Sequence, residues 1–393
     1  MRLLSEHRPA PGERWIYSAG FNVGPALADT GRIDTELADL RRLSAAGARV
    51  ALLSHQGSAK DGTARHLEYI AEYLGRQLGQ RVRYLPENAS AWARARSEGL
   101  QDGEIALFGN TRLNPGEERE DGELSRALSG LGDRVAIGGF SKAHRRHASN
   151  TGLLNHLPGY ATAGLVEEAA ALDPWAAGPG RAAGAAGYSA AVLGGVKPEK
   201  TVIGLASLSR SYDLVIPGGV VLNTLLAAAG HRIGRSELGS APERCAEVAR
   251  TVLAQDGGAR IHLPSTLVVA GPDGTLRRVT VEQGVPDDCA VVDFEVEPWA
   301  LDLLSRADRV VVAGTPGRYA EGNHHAAAAV LGARSGREAG TLLLGGDTVA
   351  ELPWNGPRST GGGSALQYLA EGTCAVFEAL KDNERRGAGH HDL

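Results

Sequence analysis

The sequence predicts an α/β protein with two domains, each built on a doubly wound parallel sheet. Three observations support this prediction. Short apolar runs alternate with segments that carry leucines at helical spacing, a pattern typical of strands joined by helical crossovers. A stretch rich in proline, glycine and alanine separates the runs into two sets, as a linker would. The 393 residues also exceed what one hydrophobic core usually spans.

The amino-terminal half supplies the first domain, which we place at residues 1–158. Its predicted strands are Arg14–Ala19, Arg49–Ser54, Arg81–Leu85, Glu104–Phe108 and Arg134–Gly138, with helices expected over Thr35–Ala46 and His66–Gly79. Because crossovers between parallel strands are nearly always right-handed, the carboxyl ends of these strands face one common side. Side chains that follow the strands are therefore candidates for one binding crevice.

The carboxyl-terminal half supplies the second domain, at residues 188–371. A helix predicted over Gly159–Leu172 and a connector over Asp173–Gly187 make residues 159–187 the interdomain segment. The second set of predicted strands is Thr201–Ile203, Leu214–Ile216, Arg260–Leu263, Leu267–Val269, Val291–Phe294, Arg309–Ala313 and Gly340–Leu344. The two halves share an architecture and no repeated sequence.

Composition excludes several classes of function. With 41 Lys and Arg against 46 Asp and Glu, the formal charge is −5, too balanced for a general nucleic-acid or membrane-surface binder. The three cysteines, Cys245, Cys289 and Cys374, lack the spacing of a disulfide framework or a zinc site. The sequence has no signal core and no run of about 18 apolar residues. We therefore expect a soluble protein of the reducing cytoplasm.

Glycine-rich turns near the carboxyl terminus indicate a phosphate site. An apolar run leads into Gly345, Gly346, Asp347 and Thr348, and the same device recurs at Gly361–Gly363. Glycine lets the backbone approach a ligand closely, and helix N-termini present free N–H groups to anions. Each turn alone could be an ordinary strand–helix connection, but the pair favours a polyphosphate, with Asp347 as a magnesium ligand. No Gly-Lys-Ser/Thr follows the glycines, so this is not a P-loop.

A third glycine segment carries lysine. Gly194 and Gly195 follow an apolar run, with Lys197 and Lys200 just beyond, in a chain whose 41 cationic residues include only five lysines. Such a pair could stabilise the charge of a transferring phosphoryl group. On this segment alone, two solvated surface lysines remain an equal alternative.

Arginine and histidine side chains cluster near the ends of predicted strands in the first domain. They are Arg32, His55, Arg112, His144, Arg145, Arg146 and His147. Guanidinium groups match carboxylate and phosphate oxygens with two parallel hydrogen bonds. Each arginine alone could lie on the surface. Their joint placement at the carboxyl ends of parallel strands predicts a pocket for a dianion or a carboxylate.

Eight motifs, in order, resemble those of the phosphoglycerate kinase family over nearly the whole chain. They are GFNVGPAL, ARVALLSHQGS, TRLNPGEE, FSKAHRRHAS, AVLGGVKPEK, VIPGGVVLNTLL, LLLGGDT and STGGGSALQYL. The resemblance implies two Rossmann-like lobes with a hinge between them. The amino-terminal lobe would bind the acid substrate and the carboxyl-terminal lobe Mg²⁺ and ATP, with the tail 372–393 packing back on the first lobe.

The resemblance also implies a role for individual residues. Those on the acid pocket are Asn22, His55, Arg112, His144 and Arg145. Arg32 falls on the essential catalytic arginine if the preceding loop is shortened, Lys197 falls on a lysine of the phosphoryl path, and Lys200 on a second one after a single-residue deletion. The implied nucleotide contacts are Gly195, Lys197, Gly218, Gly219, Gly345, Gly346, Asp347, Thr348, Gly361, Gly362 and Gly363, with Asp347 also holding the metal.

The acid pocket departs from the family pattern at several positions. Gly20 replaces an aspartate that contacts the substrate hydroxyl, and Ser58 replaces a phosphate-binding arginine. Lys142 and Arg146 replace a threonine and an alanine. These changes alter the acid pocket specifically, so 3-phosphoglycerate need not be the substrate.

The nucleotide pocket departs as well. Ala313 stands where the family has an asparagine, and Ala320 where it has a ribose-binding glutamate, although Glu321 is adjacent. The family's Trp-Asn-Gly-Pro sequence does occur, at Trp354–Pro357, but in the wrong loop. We treat that match as a coincidence.

These observations favour an ATP-dependent carboxylate kinase that forms an acyl phosphate on an altered acid substrate. A carboxylate is already ionised near neutral pH, so the reaction needs alignment and charge neutralisation rather than a general base. We assign Arg32 to the carboxylate and the transferring group, Lys197 and Lys200 to the phosphoryl oxygens, and Asp347 to Mg²⁺. Two alternatives stay open: an ordinary 3-phosphoglycerate kinase of glycolysis, and a non-catalytic homologue that binds a ligand or partner. We expect a monomer whose lobes close about the hinge.

Overall fold

The chain divides into two compact units in the computed structural model, which describes residues 1–177 and 187–388. The first unit combines Met1–Ala171 with the segment that starts at Cys374, and the second is Leu172–Thr373. Residues 178–186, in the middle of the predicted linker, lie outside the described residues, as do 389–393 at the end of the predicted tail. The hinge assigned to residues 159–187 therefore stays a prediction.

The first unit is built on one parallel sheet. Its strands are β1 (Arg14–Ser18), β2 (Arg49–Leu53), β3 (Arg83–Leu85), β4 (Ile105–Phe108), β5 (Arg134–Ile137) and β6 (Gly159–Ala161). The strand order is β3-β4-β2-β1-β5-β6, and every neighbouring pair is parallel. The central strands are almost wholly buried, which is why they are continuous apolar runs without alternation.

Helices connect these strands. They are α1 (Gly31–Asp34), α2 (Leu37–Ala45), α3 (Glu68–Leu78), α4 (Ala91–Glu98), α5 (Gly122–Ser129) and α6 (Ala163–Ala170). The leucines at helical spacing in α2 and α3 are buried in the core of the unit. Three helices begin at a polar side chain that accepts a backbone N–H bond, namely Ser90, Asp121 and Thr162, as N-caps do.

The second unit contains two sheets. Its strands are β7 (Ser189–Leu193), β8 (Leu214–Pro217), β9 (Arg260–Ile261), β10 (Thr266–Ala270), β11 (Leu276–Thr280), β12 (Ala290–Phe294), β13 (Arg309–Ala313), β14 (Thr341–Leu344) and β15 (Arg358–Ser359). A six-stranded parallel sheet has the order β15-β14-β13-β7-β8-β9, and a three-stranded antiparallel sheet has the order β11-β10-β12. The predicted α/β fold with two parallel sheets is confirmed.

Seven further helices belong to the second unit, and one more follows them in the chain. Those of the second unit are α7 (Ala206–Ser211), α8 (Gly219–Ala228), α9 (Pro242–Leu253), α10 (Pro298–Arg306), α11 (His325–Ala333), α12 (Gly346–Glu351) and α13 (Gly363–Glu371), and the last helix of the described residues is α14 (Ala375–Ala388). One connection buries a whole guanidinium: Arg334, 1% exposed, donates to the carbonyl oxygens of Leu304 and Ala307 at 2.9 and 2.8 Å. It thereby adds side-chain hydrogen bonds to carbonyl groups at the C-terminal end of α10 and just beyond it, where the helix no longer supplies its full set of backbone donors.

The last helix, α14, belongs to the first unit. The amide of Asn383 accepts a hydrogen bond from the N–H of Gly159 at 2.8 Å and donates to the carbonyl oxygen of Leu154 at 2.6 Å. Leu380, one turn earlier, is fully buried. This helix therefore closes the core beside β6.

Four predicted elements differ from the structure. Thr201–Ile203 is helical, within a π-helical turn over Lys200–Leu205 that continues into α7, because so short an apolar run fits a buried helix as well as a strand. The helix predicted over Gly159–Leu172 begins only after β6, where Thr162 caps α6. The strands predicted at Leu267–Val269 and Val291–Phe294 form, but in the antiparallel sheet rather than the parallel one.

The described residues include no helix with the length and hydrophobicity needed to cross a bilayer.

Candidate anion and nucleotide sites

The parallel sheet of the first unit brings the predicted acid-binding residues to one edge. Asn22 follows β1, His55 follows β2, Arg112 follows β4, and His144 and Arg145 follow β5. Because β4, β2, β1 and β5 are adjacent and parallel, their carboxyl ends lie side by side. The fold therefore places these five residues along one side of the sheet.

Arg112 is held in a buried position with part of its guanidinium unsatisfied. The side chain of Asn110 accepts the N–H of Arg112 at 3.0 Å and so caps the turn that carries it. Nη1 of Arg112 pairs with Glu118 at 2.6 Å, while Nε and Nη2 are buried and have no hydrogen-bond partner in the described part of the chain. An unpaired buried donor is costly, so this geometry suits an anionic ligand.

The histidines beside Arg112 are held neutral. Burial, reinforced by Arg112, Lys142 and neighbouring cations, lowers the pKa of His55 well below its ordinary value. Burial and Arg145 lower the pKa of His144 to about 3, and Nε of Arg145 donates to Nε2 of His144 at 3.2 Å. The positive charge of the site therefore comes from its arginines and Lys142, while the histidines provide neutral hydrogen-bonding groups.

Asn22 and Arg32 lie at the start of the chain segment after β1. The amide oxygen of Asn22 accepts the N–H of Gly57 at 3.1 Å, which links the loops that follow β1 and β2. Arg32, in α1, is half-buried. Its charge opposes the burial and the Glu36 carboxylate that raise the pKa of Glu168 to about 7.

The departures from the family pattern have clear structural counterparts. A β-carbon at Gly20 would lie 2.9 Å from Cα of Gly139, so the ends of β1 and β5 touch through their backbones. Ser58 lies in a turn closed by a bond from its N–H to Thr63 at 2.9 Å. Lys142 is buried, whereas Arg146 is exposed, with its guanidinium 3.9 Å from Glu378.

In the second unit, three glycine turns meet at the carboxyl ends of β7, β8 and β13. The N–H of Val220 donates to the carbonyl of Gly195 at 3.0 Å, and the N–H of Gly219 donates to Pro316 at 2.9 Å. A β-carbon at Gly218 would overlap the Pro316 carbonyl, and one at Gly194 would overlap Thr315. Glycine is required here because backbone packs directly on backbone.

The predicted phosphate-binding turns lie along the same sheet. Gly345, with φ 107°, follows β14, and its N–H donates to Ser359 of β15 at 2.8 Å. The helices α12 and α13 start at Gly346 and Gly363, and nothing lies within 4 Å of a β-carbon at Gly346 or Gly362. Gly361 is buried, with its N–H bonded to the Ser359 hydroxyl at 3.1 Å. The open space above two helix N-termini suits phosphate groups.

Two lysines and one carboxylate converge on these turns. Nζ of Lys197 pairs with Asp347 at 2.7 Å, and both side chains are well exposed. Lys200 is buried, and its Nζ lies 3.6 Å from the position of a β-carbon on Gly345. Burial and the charge of Lys197 lower the pKa of Lys200 to about 8. Thr348 is buried and accepts the N–H of Gly314 at 2.8 Å, which links α12 to the end of β13.

The residues present fit magnesium bound through a nucleotide. Within residues 1–177 and 187–388, no three His, Cys, Asp or Glu side chains are grouped so as to hold a metal. Asp347 offers one exposed carboxylate beside the phosphate turns. Mg²⁺ is commonly held by one or two carboxylates together with substrate phosphates, so a single aspartate is a sufficient protein ligand.

The nucleotide-pocket departures lie beside the same glycine turns. Ala313 is the last residue of β13, and Ala320 lies in a helical turn over Tyr319–Glu321. Glu321 extends to Arg318 at 3.5 Å. The Trp354 of the misplaced motif packs in the core of the unit and donates to Thr341 at 3.3 Å.

Sequence reasoning missed the buried polar groups beneath the acid-binding residues. Glu117 is 1% exposed and accepts bonds from the N–H and hydroxyl of Ser149 at 3.0 and 2.5 Å. Glu36 is 1% exposed and accepts the N–H of Gly139 at 2.6 Å. The position of Glu117 inside the motif TRLNPGEE was an available signal; nothing in the sequence around Glu36 marks it.

The chain is similar to known proteins over nearly its full length. A sequence model of the family described as phosphoglycerate kinase matches residues 16–381. The phosphoglycerate kinase of Rhizobium meliloti (strain 1021) is 33% identical over 392 residues, covering 94% of this chain and 96% of that protein. That of Thermus thermophilus is 32% identical over 410 residues, covering 97% and 100%.

Solved structures share the fold. The crystal structure of phosphoglycerate kinase from Pyrococcus horikoshii OT3 matches with a TM-score of 0.72 at 22% identity, covering 98% of this chain and 100% of that one. The structure of phosphoglycerate kinase from Coxiella burnetii matches with a TM-score of 0.68 at 23% identity, covering 97% and 98%.

Proposed function

Because the chain belongs to the phosphoglycerate kinase family, we propose that it phosphorylates the carboxylate of a small anionic acid other than 3-phosphoglycerate. Kinases of this family use ATP and Mg²⁺ and transfer a phosphoryl group to a carboxyl acceptor. The γ-phosphorus–oxygen bond to ADP breaks as a bond to the carboxylate oxygen forms. The product is an acyl phosphate.

The proposal of a different acid rests on the close contact between Gly20 and Gly139. The family pattern has an aspartate at position 20, which contacts the substrate hydroxyl. Here a β-carbon at Gly20 would lie 2.9 Å from Cα of Gly139, and one at Gly139 would lie 2.6 Å from Cα of Gly20. Gly139 also has φ 74°, which side-chain-bearing residues rarely adopt. The two strand ends thus leave no room for the carboxylate that would accept the hydroxyl bond.

The remaining acid-binding residues suit an anion with at least one carboxylate. Arg112 offers two buried donors without partners among the described residues, and Arg145 and Arg32 add two more guanidinium groups. Guanidinium binds carboxylate and phosphate oxygens in the same bidentate way. Because His55 and His144 are neutral, they can donate or accept hydrogen bonds to the acid without adding charge.

The reaction requires positioning and charge neutralisation from this chain. The acceptor carboxylate is ionised, so no residue has to remove a proton. We assign Arg32 to orienting the carboxylate and Lys197 and Lys200 to neutralising the transferring phosphoryl oxygens. The N–H groups at the starts of α12 and α13 would donate to the nucleotide phosphates. Bound Mg²⁺, with Asp347 as ligand, supplies positive charge to those phosphates.

A hydroxylamine trap tests the proposal, since it converts acyl phosphates to hydroxamates. The protein is incubated with Mg-ATP, hydroxylamine and either 3-phosphoglycerate or one member of a panel of mono-, di- and phosphorylated carboxylic acids. Hydroxamate with another acid at a higher kcat/KM than with 3-phosphoglycerate supports the proposal. The highest kcat/KM with 3-phosphoglycerate refutes the altered substrate. Reactions without ATP and reactions of the Lys197→Ala variant provide the controls.

An ordinary 3-phosphoglycerate kinase is the second candidate. It is favoured by the retention of Asn22, His55, Arg112, His144 and Arg145 at positions that match the family's acid pocket and by the names of the relatives. The same panel distinguishes the two candidates. Binding of Mg-ADP by calorimetry with no hydroxamate from any acid would instead indicate a non-catalytic homologue.

A further inference from the structure

Lys142 is a buried lysine at the border of the acid site. Its side chain is 4% exposed, and its ammonium donates to the hydroxyl of Ser18 at 2.7 Å and to Oδ1 of Asn150 at 3.0 Å. Ser18 is the last residue of β1, two positions before Gly20, and Lys142 follows β5. Lys142 therefore links the ends of two neighbouring strands that border the acid site.

Asn150 extends this link to the loop that carries the acid-binding arginine. Its Nδ2 donates to the carbonyl oxygen of Arg145 at 2.8 Å and to that of Lys142 at 3.3 Å. With its nitrogen on these carbonyls, the amide presents its oxygen on the opposite side. The ammonium of Lys142 donates to that oxygen. The ammonium thus favours the orientation of Asn150 that holds the backbone of Arg145.

Two carboxylates keep the buried lysine charged. Burial lowers the pKa of Lys142 to about 8, and the carboxylates of Glu117 and Glu36 oppose that effect. Glu117 reaches the same loop through Ser149, and Glu36 reaches the end of β5 through the N–H of Gly139. The carboxyl groups that act on the charge of Lys142 are therefore themselves held in place by backbone N–H groups.

The charge of Lys142 lowers the pKa of two histidine rings of the acid site. Burial and Arg112 are the larger reasons that the pKa of His55 lies well below its ordinary value, and Lys142 adds to them. For His147, burial, two arginines and Lys142 together lower the pKa to about 3. The ammonium thus acts on the acid site electrostatically as well as through Asn150.

We propose that Lys142 is a positioning residue of the acid site, whose ammonium holds Asn150, and through it the loop carrying His144 and Arg145, against the end of β1. This inference rests on the proposed function, because it takes His144 and Arg145 as acid-binding residues. Lys142 stands where the family pattern has a threonine, and Gly20, two residues from its partner Ser18, stands where that pattern has an aspartate. The glycine at position 20 and the lysine at position 142 are therefore two departures from the family pattern in the same small region, at the ends of β1 and β5.

Kinetics of three variants of the full-length protein test the proposal. They are Lys142→Met, Lys142→Arg and the control Lys381→Met, which removes an exposed lysine of α14. With the acid that gives the highest kcat/KM in the panel, Lys142→Met should raise the KM for the acid by about 10–100-fold and leave the KM for ATP nearly unchanged. Lys142→Arg should recover part of the loss. No change, or an equal change in both KM values, overturns the proposal.

The pH dependence supplies a second readout. The wild-type KM for the acid should rise as the pH passes about 8, since the ammonium then loses its proton, and Lys142→Arg should abolish this rise. The groups that face the ammonium are the carboxyls of Glu36 and Glu117 and the rings of His55 and His147. Carboxyls and imidazoles titrate below this range. A rise that persists in Lys142→Arg overturns the proposal.

Folding failure and failure of the proposed function can both be recognised. If Lys142→Met does not fold, the double variant Lys142→Met, Glu117→Gln is used in its place in every assay. The second substitution removes a carboxylate that would otherwise be left facing the lost ammonium. Nuclear magnetic resonance titration of the histidine rings, without acid or ATP, should show an upward shift in the pKa of His147 in the variant. If the wild-type protein phosphorylates no acid, the proposed function fails, and binding of inorganic phosphate then decides: an unchanged Kd in the Lys142 variant overturns the positioning role.

Discussion

Replacement of Gly20 by alanine should destabilise the first unit without changing any charge. The added carbon would lie 2.9 Å from Cα of Gly139, whereas non-bonded carbons prefer about 3.5–4.0 Å. The atom too close to it is backbone, which no rotation of a side chain can move aside, so the ends of β1 and β5 must separate by about half an ångström or more. Overpacking of this kind costs about 1–3 kcal/mol.

Calorimetry on the full chain measures the effect. A domain of this size loses about 2–4 °C in Tm per kcal/mol, so Gly20→Ala should lower the transition of the first unit by about 2–12 °C. Gly24→Ala is the matched control, because nothing lies within 4 Å of a β-carbon at Gly24. If the Tm of Gly20→Ala equals that of Gly24→Ala, the steric argument for an altered acid site is wrong. Gly20→Asp should likewise fail to increase activity with 3-phosphoglycerate.

Three further outcomes are expected. Lys197→Ala should lower kcat by about 10²–10³-fold and change the Kd for Mg-ADP far less, as stopped-time hydroxamate assays and calorimetry would show. His144 and His147 have a pKa of about 3 when folded and about 6.5 when unfolded. The unfolded chain therefore binds protons first, and each histidine should remove up to about 1.4 kcal/mol of stability per pH unit as the pH falls from about 6.5 to about 3. Urea unfolding checks this, because the slope should flatten when both become Gln. Arg334→Met should cost about 3 kcal/mol by removing the buried guanidinium bonds to the carbonyl oxygens of Leu304 and Ala307, and an unchanged Tm would contradict it.

Much of the fold could be predicted because its strands are buried on both faces. Runs such as those of β1, β2 and β13 are continuous and apolar, which limits them to the interior of a parallel sheet. Short runs carry less information. Thr201–Ile203 has the composition of a strand, yet Pro198 and the residues after it continue into a helix. The antiparallel pairing of β10 with β12 depends on contacts distant in sequence, which local composition does not encode.

The candidate site could be located from sequence, but its internal support could not. Residues that follow parallel strands share one edge, so Arg112 and His144 could be grouped from their positions alone. The contact of Gly20 with Gly139 and the bond from Lys142 to Ser18 join residues more than 100 positions apart. Each substitution was visible in the sequence as a departure, and only the structure relates one to the other.

The position of α14 at the end of the chain determines the order in which the two units are completed on the ribosome. Gly159 and Leu154 bond to Asn383, more than 200 residues later in the chain, whereas the second unit is one continuous segment, Leu172–Thr373. During synthesis the second unit is complete before the helix that closes the first unit has been made. The nascent first unit must therefore remain without the bonds from Asn383 to Gly159 and Leu154 while Leu172–Thr373 is translated, and the rate of translation determines how long that interval lasts.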